Sequence, residues 1–206
     1  MSLEIEKRYH NIDLDEVHKL LKKMGAKREI NLFRIYAYKN KEENYRVRLR
    51  DEGNKITFTV KRRKKNNKFD TEWEVEISNL ETAKEMLEIL GIELGRPLEK
   101  IREAFHYKKT EIAIDYEVLD DPHLEIESPN EKELKSIEKK LKLNDEEKPV
   151  NPIDFYGINF KKLIKGDQVF SDLNRVKNLV TKQKTKFNKM MRMKKKLYKE
   201  ATKKYK

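Results

Sequence analysis

Thr71-Glu72-Trp73-Glu74-Val75-Glu76-Ile77 puts three glutamates on one side of an extended segment and Trp73, Val75 and Ile77 on the other, because successive side chains of a strand point to opposite faces. The same alternation recurs along the chain. Glu4, Glu6 and Arg8 stand opposite Leu3, Ile5 and Lys7; Arg46, Arg48 and Arg50 stand opposite Val47 and Leu49. Thr57, Thr59 and Lys61 oppose Ile56, Phe58 and Val60, and Glu111, Ala113 and Asp115 oppose Ile112 and Ile114. Glu125 and Glu127 flank Ile126. A strand packed on one side hides its apolar face and wets its polar one. Across these six strands, the polar faces are almost uniformly charged.

A solvated face with Arg and Glu paired between strands, at roughly 0.2–1 kcal/mol per pair, accounts for any one strand. Six strands together favour closure into a barrel, where one face of every strand lines the interior. Charges enclosed that way are costly unless paired or occupied by a ligand. A polyanion with metal ions is the matching content. Arg offers phosphate a bidentate fork, and Glu-x-Glu pairs offer Mg²⁺ or Mn²⁺ hard oxygen ligands.

The rest of the chain supports an antiparallel α+β domain. Strands are expected over residues 3–9, 31–38, 45–51, 55–62, 71–77, 96–107, 110–118 and 124–127, mostly joined by short turns such as Asp51-Glu52-Gly53-Asn54. Helices are expected over residues 13–25, 80–90 and 130–141, opened by Asp13, Asn79 and Asn130. The 206 residues carry a net charge of +12, with 36% hydrophobic and 42% charged residues. Absence of cysteine excludes disulfides and thiolate metal sites. No secretory leader or membrane-length apolar run is visible, so a soluble, intracellular, cytoplasmic protein is expected. From Lys161 to Lys206 there are 17 basic and 3 acidic residues, which leaves 32 basic and 34 acidic residues in the rest. The division on that basis is 1–163 for the main domain and 164–206 for a basic helical or partly disordered extension.

In this order, the charged segments resemble the CYTH, or triphosphate tunnel metalloenzyme, superfamily. It includes thiamine triphosphatases, inorganic triphosphatases, class IV adenylate cyclases and, more distantly, RNA triphosphatases. Glu4-Ile5-Glu6-Lys7-Arg8 is similar to its N-terminal Glu-x-Glu-x-Lys, with Arg8 in the Lys position. Arg46-Val47-Arg48, Thr59-Val60-Lys61, Glu72-Trp73-Glu74-Val75-Glu76 and Lys100-Ile101-Arg102 follow in the family's order. Ile112-Ala113-Ile114-Asp115 and Leu124-Glu125-Ile126-Glu127 close the series. The likeness covers roughly residues 3–160. The family's Gly-Phe lead into the last Glu-x-Glu is absent, and Asp120-Asp121-Pro122-His123 stands there.

The resemblance implies a closed, eight-stranded antiparallel β-tunnel with helices outside and metal-dependent release of a terminal phosphate. The catalytic set it implies is Glu4, Glu6, Asp115, Glu125 and Glu127. For metal it adds Glu74 and Glu76 to these. Arg8, Arg46, Arg48, Lys61, Lys100 and Arg102 would hold the phosphates, with Mg²⁺ or Mn²⁺ as cofactor. Lys148, Lys161 and Lys162 are candidates for a further basic group from the C-terminal part. Glu72 and Glu111, near strand ends, read as solvated, and Arg50 and Arg63 fit either side of the wall. His10, His18, His106 and His123 are scattered without metal-site spacing and read as surface or packing residues.

Substrates open on this reading are inorganic triphosphate, thiamine triphosphate and nucleoside triphosphates. A class IV-type adenylate cyclase needs the same acids and bases. The tail's helical repeat (Leu173, Val176, Val180, Phe187, Met191, Tyr198) amid lysines adds RNA 5′-triphosphate hydrolysis, through sequence-independent contact with RNA or another anionic surface. A non-enzymatic polyphosphate-binding module is the remaining alternative.

Overall fold

Three helix starts in this chain are fixed by side chains that accept from the open donors of the first turn. In the computed structural model, which describes residues 2–3, 5–40, 44–62, 71–143, 151–158, 170 and 173–203, all three expected caps are made. Asp13 accepts from Glu16 N at 3.0 Å, Asn79 from Thr82 N at 2.9 Å and Asn130 from Glu133 N at 2.9 Å. They open α1 (Leu14–Lys23), α2 (Leu80–Ile89) and α3 (Glu131–Leu141).

The alternating segments form β1 (Ser2–Leu3), β2 (Ile5–Tyr9), β3 (Lys27–Asn40), β4 (Tyr45–Asp51), β5 (Ile56–Arg62), β6 (Thr71–Ile77), β7 (Leu98–Tyr107), β8 (Thr110–Glu117) and β9 (His123–Ser128). All pairings are antiparallel, in the order β1-β6-β5-β4-β3-β7-β8-β9-β2. β1 and β2 are pieces of one N-terminal segment separated by residue 4. Ser2–Leu3 pairs with β6 and Ile5–Tyr9 with β9. The sheet curls until both edges reach the same segment, which makes an eight-segment tunnel. Pairing is handed from β6 to β9 at that segment and does not run unbroken around the ring.

β3 is longer than the expected 31–38 because it serves two neighbours. Its first half pairs with β7 and its second with β4. Its start, Lys27-Arg28-Glu29, lacks an apolar face; Arg28 is held instead by ion pairs to Glu103 at 2.5 Å and Glu200 at 2.6 Å.

Most of the apolar faces pack outward against helices, while Trp73 and Val75 of β6 stay exposed. Ile101, Ile112, Ile114, Leu124 and Ile126 are fully buried with Val17 and Leu21 of α1 and Leu134, Ile137 and Leu141 of α3. Each such side chain contributes about 1.5–3 kcal/mol by leaving water. A smaller cluster forms where Val47 and Leu49 of β4 meet Leu87 of α2.

The described C-terminal part is helical, the first of the two forms expected for it, and its apolar stripe is packed on the domain and not solvated. It contains α4 (Pro152–Tyr156), α5 (Leu173–Asn178) and α6 (Lys184–Thr202). Leu173, Val176, Val180, Phe187, Met190 and Met191 lie in the same buried core as Ile101 and Tyr116. Tyr156 packs edge-on against Phe187 at 4.9 Å, and Phe170 stacks on Tyr198 at 5.5 Å. Gly157, at φ +60°, permits the approach of residue 181: a Cβ there would stand 2.3 Å from Thr181 Oγ1. Among the described residues of this part the lysines stay outside, apart from Lys194, which is fully buried and donates to the carbonyls of Val118 at 3.3 Å and Asp120 at 2.7 Å.

Candidate functional site

Strand register turns the charged faces into two walls. On the first, β4 sets Arg46, Arg48 and Arg50 beside Lys61, Thr59 and Thr57 of β5, and these stand beside Glu72, Glu74 and Glu76 of β6. Lys61 donates to Glu72 at 2.7 Å, and Arg48 lies 3.4 Å from Glu72 and 3.6 Å from Glu74. Arg50 reaches Glu74 at 3.4 Å, and Thr59 donates to Glu74 at 2.7 Å. Arg46, at the end of its row, is exposed.

The second wall is built by β7, β8, β9 and β2. Arg102 grips Asp115 through two bonds of 2.8 Å, also binds Glu125, and reaches Glu111 at 3.3 Å. Lys100 donates to Asp115 at 2.6 Å. Arg8 binds Glu125 and lies 3.5 Å from Glu6. Glu6, Glu127 and Glu111 occupy one cross-strand row. Phe33 of β3 stands between the walls, with the Arg50 guanidinium 5.0 Å and that of Arg102 5.8 Å from its ring.

Charge is unevenly compensated on the two walls. Burial and the neighbouring Arg50 lower the pKa of the Arg48 guanidinium despite Glu72 and Glu74 nearby. That marks a cation short of anions. Across the tunnel, burial, Glu111 and Glu6 push the Glu127 carboxyl above its usual range, which marks an anion short of cations. Glu72 acts on Glu127 in the same direction, so the two walls face each other. Between them the balance is tight. Burial opposes ionisation of Glu125 and Asp115, yet the cations around them hold both below the ordinary range. For Glu125 the first contributor is His123, whose Nε2 lies 3.4 Å away, followed by the cations Lys100, Arg102 and Arg8; for Asp115 the cations are Lys100 and Arg102. Glu117 at the end of β8 is pushed up to about 7 by burial and Asp120.

Among the described residues, four buried side-chain polar atoms lack a hydrogen-bond partner: Arg48 Nε, Arg50 Nε, Thr57 Oγ1 and His123 Nε2. All four belong to residues on the charged strand faces. Arg50 Nε does lie 2.9 Å from Glu52 Oε1 as an ion pair, off hydrogen-bonding geometry. Orphaned buried donors and acceptors are uncommon in folded proteins, and their confinement to these faces fits walls shaped for a polar occupant.

The residues expected to act together are thus partly gathered. Glu6, Arg8, Lys100, Arg102, Asp115, Glu125 and Glu127 share the second wall; Arg46, Arg48 and Lys61 share the first. Glu74 stands among the arginines of the first wall, apart from the Asp115–Glu125 group, and Glu76 is exposed beside Thr57. Glu4, Arg63, Lys148, Lys161 and Lys162 lie outside the described residues.

Three readings of single residues change. Glu72 is not solvated but clamped by Lys61 and Arg48, and Glu111 is paired with Arg102. His123 is a lumen residue: its Nε2 lies 3.4 Å from Glu125 and 3.7 Å from Asp115, and the ring of His10 packs 5.6 Å away. The signal was present in the alternation, since His123 shares strand parity with Glu125 and Glu127.

A divalent cation fits this donor set. Asp115, His123 and Glu125, all buried, each offer a ligand atom, and these atoms lie within 4.8 Å of one another. Glu127, in one row with Glu6 and Glu111, adds negative charge short of cations on the same wall.

Comparison with known proteins supports the same fold. No curated protein sequence matches the chain. A Pyrococcus horikoshii protein is 22% identical, with 72% of this chain and 94% of that one covered and a TM-score of 0.60. A conserved hypothetical protein from Pyrococcus furiosus is 19% identical over 72% and 98%, with a TM-score of 0.61. A provisional adenylate cyclase from Vibrio parahaemolyticus is 19% identical over 73% and 95%, with a TM-score of 0.58. The CYTH domain model matches residues 3–150. With most of the chain matched and the charged tunnel in place, the protein belongs to the CYTH domain family.

Proposed function

We propose that the chain is a divalent-metal-dependent hydrolase that releases the terminal phosphate of a triphosphate-containing substrate. One observation carries this reading: buried polar atoms without hydrogen-bond partners lie on both walls, Arg48 Nε among the cations of the first and His123 Nε2 beside the carboxylates of Asp115 and Glu125 on the second. A phosphate chain bound together with metal supplies partners on both walls at once. Family membership agrees, since CYTH proteins include triphosphatases and adenylate cyclases.

In this reading Arg46, Arg48 and Lys61 take the phosphate chain on the first wall. Arg8, Lys100 and Arg102 exchange part of their carboxylate contacts for phosphate oxygens. Glu6, Asp115, Glu125 and Glu127 would hold Mg²⁺ or Mn²⁺, with Glu4 from the same N-terminal segment and with Glu74 and Glu76 acting directly or through water. Such an ion neutralises phosphate oxygens and lowers the pKa of bound water. The protein's own task is positioning and charge neutralisation, which dominate phosphoryl transfer.

A cyclase reading uses the same walls and differs in product. A third reading, hydrolysis at an RNA 5′ end, draws on the outer face of α5 and α6. There Arg175, Lys177, Lys184, Lys189, Arg192 and Lys196 are exposed, with Glu200 one turn beyond Lys196. Phosphorus NMR of products separates these. Purified protein with Mg²⁺ or Mn²⁺ is offered inorganic triphosphate, thiamine triphosphate, ATP and 5′-triphosphorylated RNA. Orthophosphate from one of them is the expected result and names the substrate class. Cyclic AMP and pyrophosphate from ATP would replace the hydrolase by a cyclase, and unchanged substrates would leave a binding module.

A further inference from the structure

We propose that His123 supplies a nitrogen ligand to a divalent cation held with Asp115 and Glu125, and that this donor turns the site toward Mn²⁺ and away from Mg²⁺. The proposal rests on the metal-dependent reading above. It concerns a residue outside the carboxylate set that the resemblance implies, in the stretch where this chain departs from the family's pattern.

Placement comes first. His123 opens β9, pairs in register with Asp115 of β8, and lies two residues before Glu125 on the same strand face. Its side chain is 8% exposed, and its Nε2 has no hydrogen-bond partner among the described residues. That nitrogen is aimed between the two carboxylates, 3.4 Å from Glu125 Oε1 and 3.7 Å from Asp115 Oδ2. Adjacent ligands of a six-coordinate ion with bonds of about 2.1 Å are about 3.0 Å apart, and opposite ligands about 4.2 Å. The three donors are therefore spaced as ligands of one ion, within shifts that side chains make readily.

The position between the carboxylates is already a cation position. Arg102 Nη2 bonds to both Asp115 and Glu125, Lys100 takes Asp115 Oδ2, and Arg8 takes Glu125 Oε1. These long side chains act as internal counterions that a metal can displace, and their charge then turns to phosphate. His123 Nε2 makes no hydrogen bond to either carboxylate. In the tautomer with its proton on Nδ1 this nitrogen offers a lone pair to a metal, and the ring of His10, tilted 39° at 5.6 Å, packs beside it.

The chemistry of the donor sets the preference. Mg²⁺ keeps oxygen ligands and water, whereas imidazole suits the later divalent ions. A set of two carboxylates and one imidazole favours Mn²⁺, and Co²⁺ more strongly, over Mg²⁺.

The test reads the metal, not turnover. The full chain is titrated calorimetrically with Mn²⁺ and with Mg²⁺, and the Mn²⁺ form is examined by electron spin echo envelope modulation for ¹⁴N coupling. Wild type and His10→Gln are expected to show histidine nitrogen coupling, and His123→Gln to lose it. His123→Gln should weaken Mn²⁺ about tenfold or more while Mg²⁺ changes less than about threefold. Wild type grown with ¹⁵N-histidine gives the same answer without a substitution, because the coupling must change isotope. An oxygen-only Mn²⁺ signal in wild type, coupling that survives His123→Gln, equal losses for both ions, or no Mn²⁺ binding would each overturn the proposal. Triphosphate hydrolysis with an oxygen-only signal would sink this inference and leave the proposed function intact. Nitrogen-bound Mn²⁺ without hydrolysis would do the reverse.

Discussion

Glu103 and Glu125 are both buried glutamates on neighbouring parts of one sheet, and they differ in which side of the wall they occupy. Glu103 faces outward, 2% exposed. It accepts from His18 at 3.0 Å, Arg28 at 2.7 Å and Tyr116 at 2.6 Å. Burial works against its ionisation, but these partners hold it at about 2. Every member of that network is satisfied, and it ties α1, β3 and β8 to β7 while Arg28 reaches on to Glu200 of α6. Glu125 faces inward, where Arg8 binds it, Arg102 holds it together with Asp115, and His123 keeps a nitrogen without a hydrogen-bond partner. The contrast teaches that the same chemistry, carboxylate with cations, acts as a closed lock outside and as an exchangeable set inside.

Substitution can break that contrast. The largest effect is expected from Glu125→Gln, which keeps the shape and removes the charge. Triphosphate turnover should fall about 10³-fold, as for loss of a group that stabilises transferring charge. Comparable turnover in a steady-state assay would contradict the inward role. Glu103→Gln should leave turnover per folded molecule within about twofold. It should cost on the order of 3 kcal/mol, because it breaks a buried charged network, or roughly 6–12 °C in melting temperature for a chain of this size. The Glu103 contribution is present above the ordinary carboxyl value of 4.5 and is lost as pH falls through about 2. An unchanged melting curve would remove the outer lock from the account.

Lys194 sharpens the comparison from the C-terminal side. It is a buried cation beside the β8–β9 turn, faced by Asp120, Asp121 and Glu117, yet burial lowers its pKa from 10.5 to about 7. Between those values the unfolded chain holds more protons than the folded one, so stability rises with pH through that window. Lys194→Met should abolish this rise and raise stability at pH 7 by about 1–2 kcal/mol, read by urea unfolding at pH 7 and pH 9.5. A slope that persists in the variant would place its origin elsewhere.

The fold was legible because parity is legible. Six charged strand faces in one chain have few solutions, and closure around a polar interior is one that fits β2, β4, β5, β6, β8 and β9 together. The tail's apolar repeat was visible as well, but its lysines masked the docking; Lys194, inside the stripe, gave no warning in a segment dense with lysine. Register was the missing information for single residues. Nothing in the sequence near Glu72 or Glu111 states that Lys61 and Arg102 stand across from them. His123 went unread because its neighbours Asp120-Asp121-Pro122 suggest a turn, although its parity with Glu125 placed it inside. Glu103 and Glu99 were equally hidden: they occupy the outward face, where an apolar residue is the ordinary choice, and are held there by Arg28, His18, Tyr116 and Arg34.

Binding of inorganic triphosphate tests the central claim most directly. Calorimetric titration in the presence of Mn²⁺ would compare wild type, Arg48→Ala and Glu103→Gln at one temperature below all their melting points. The account predicts a single site in wild type, an affinity lowered by about 10–100-fold in Arg48→Ala as one buried charge-assisted contact is lost, and wild-type affinity in Glu103→Gln. Equal affinity in Arg48→Ala and wild type, or no binding by wild type, would contradict a triphosphate site between the two charged walls.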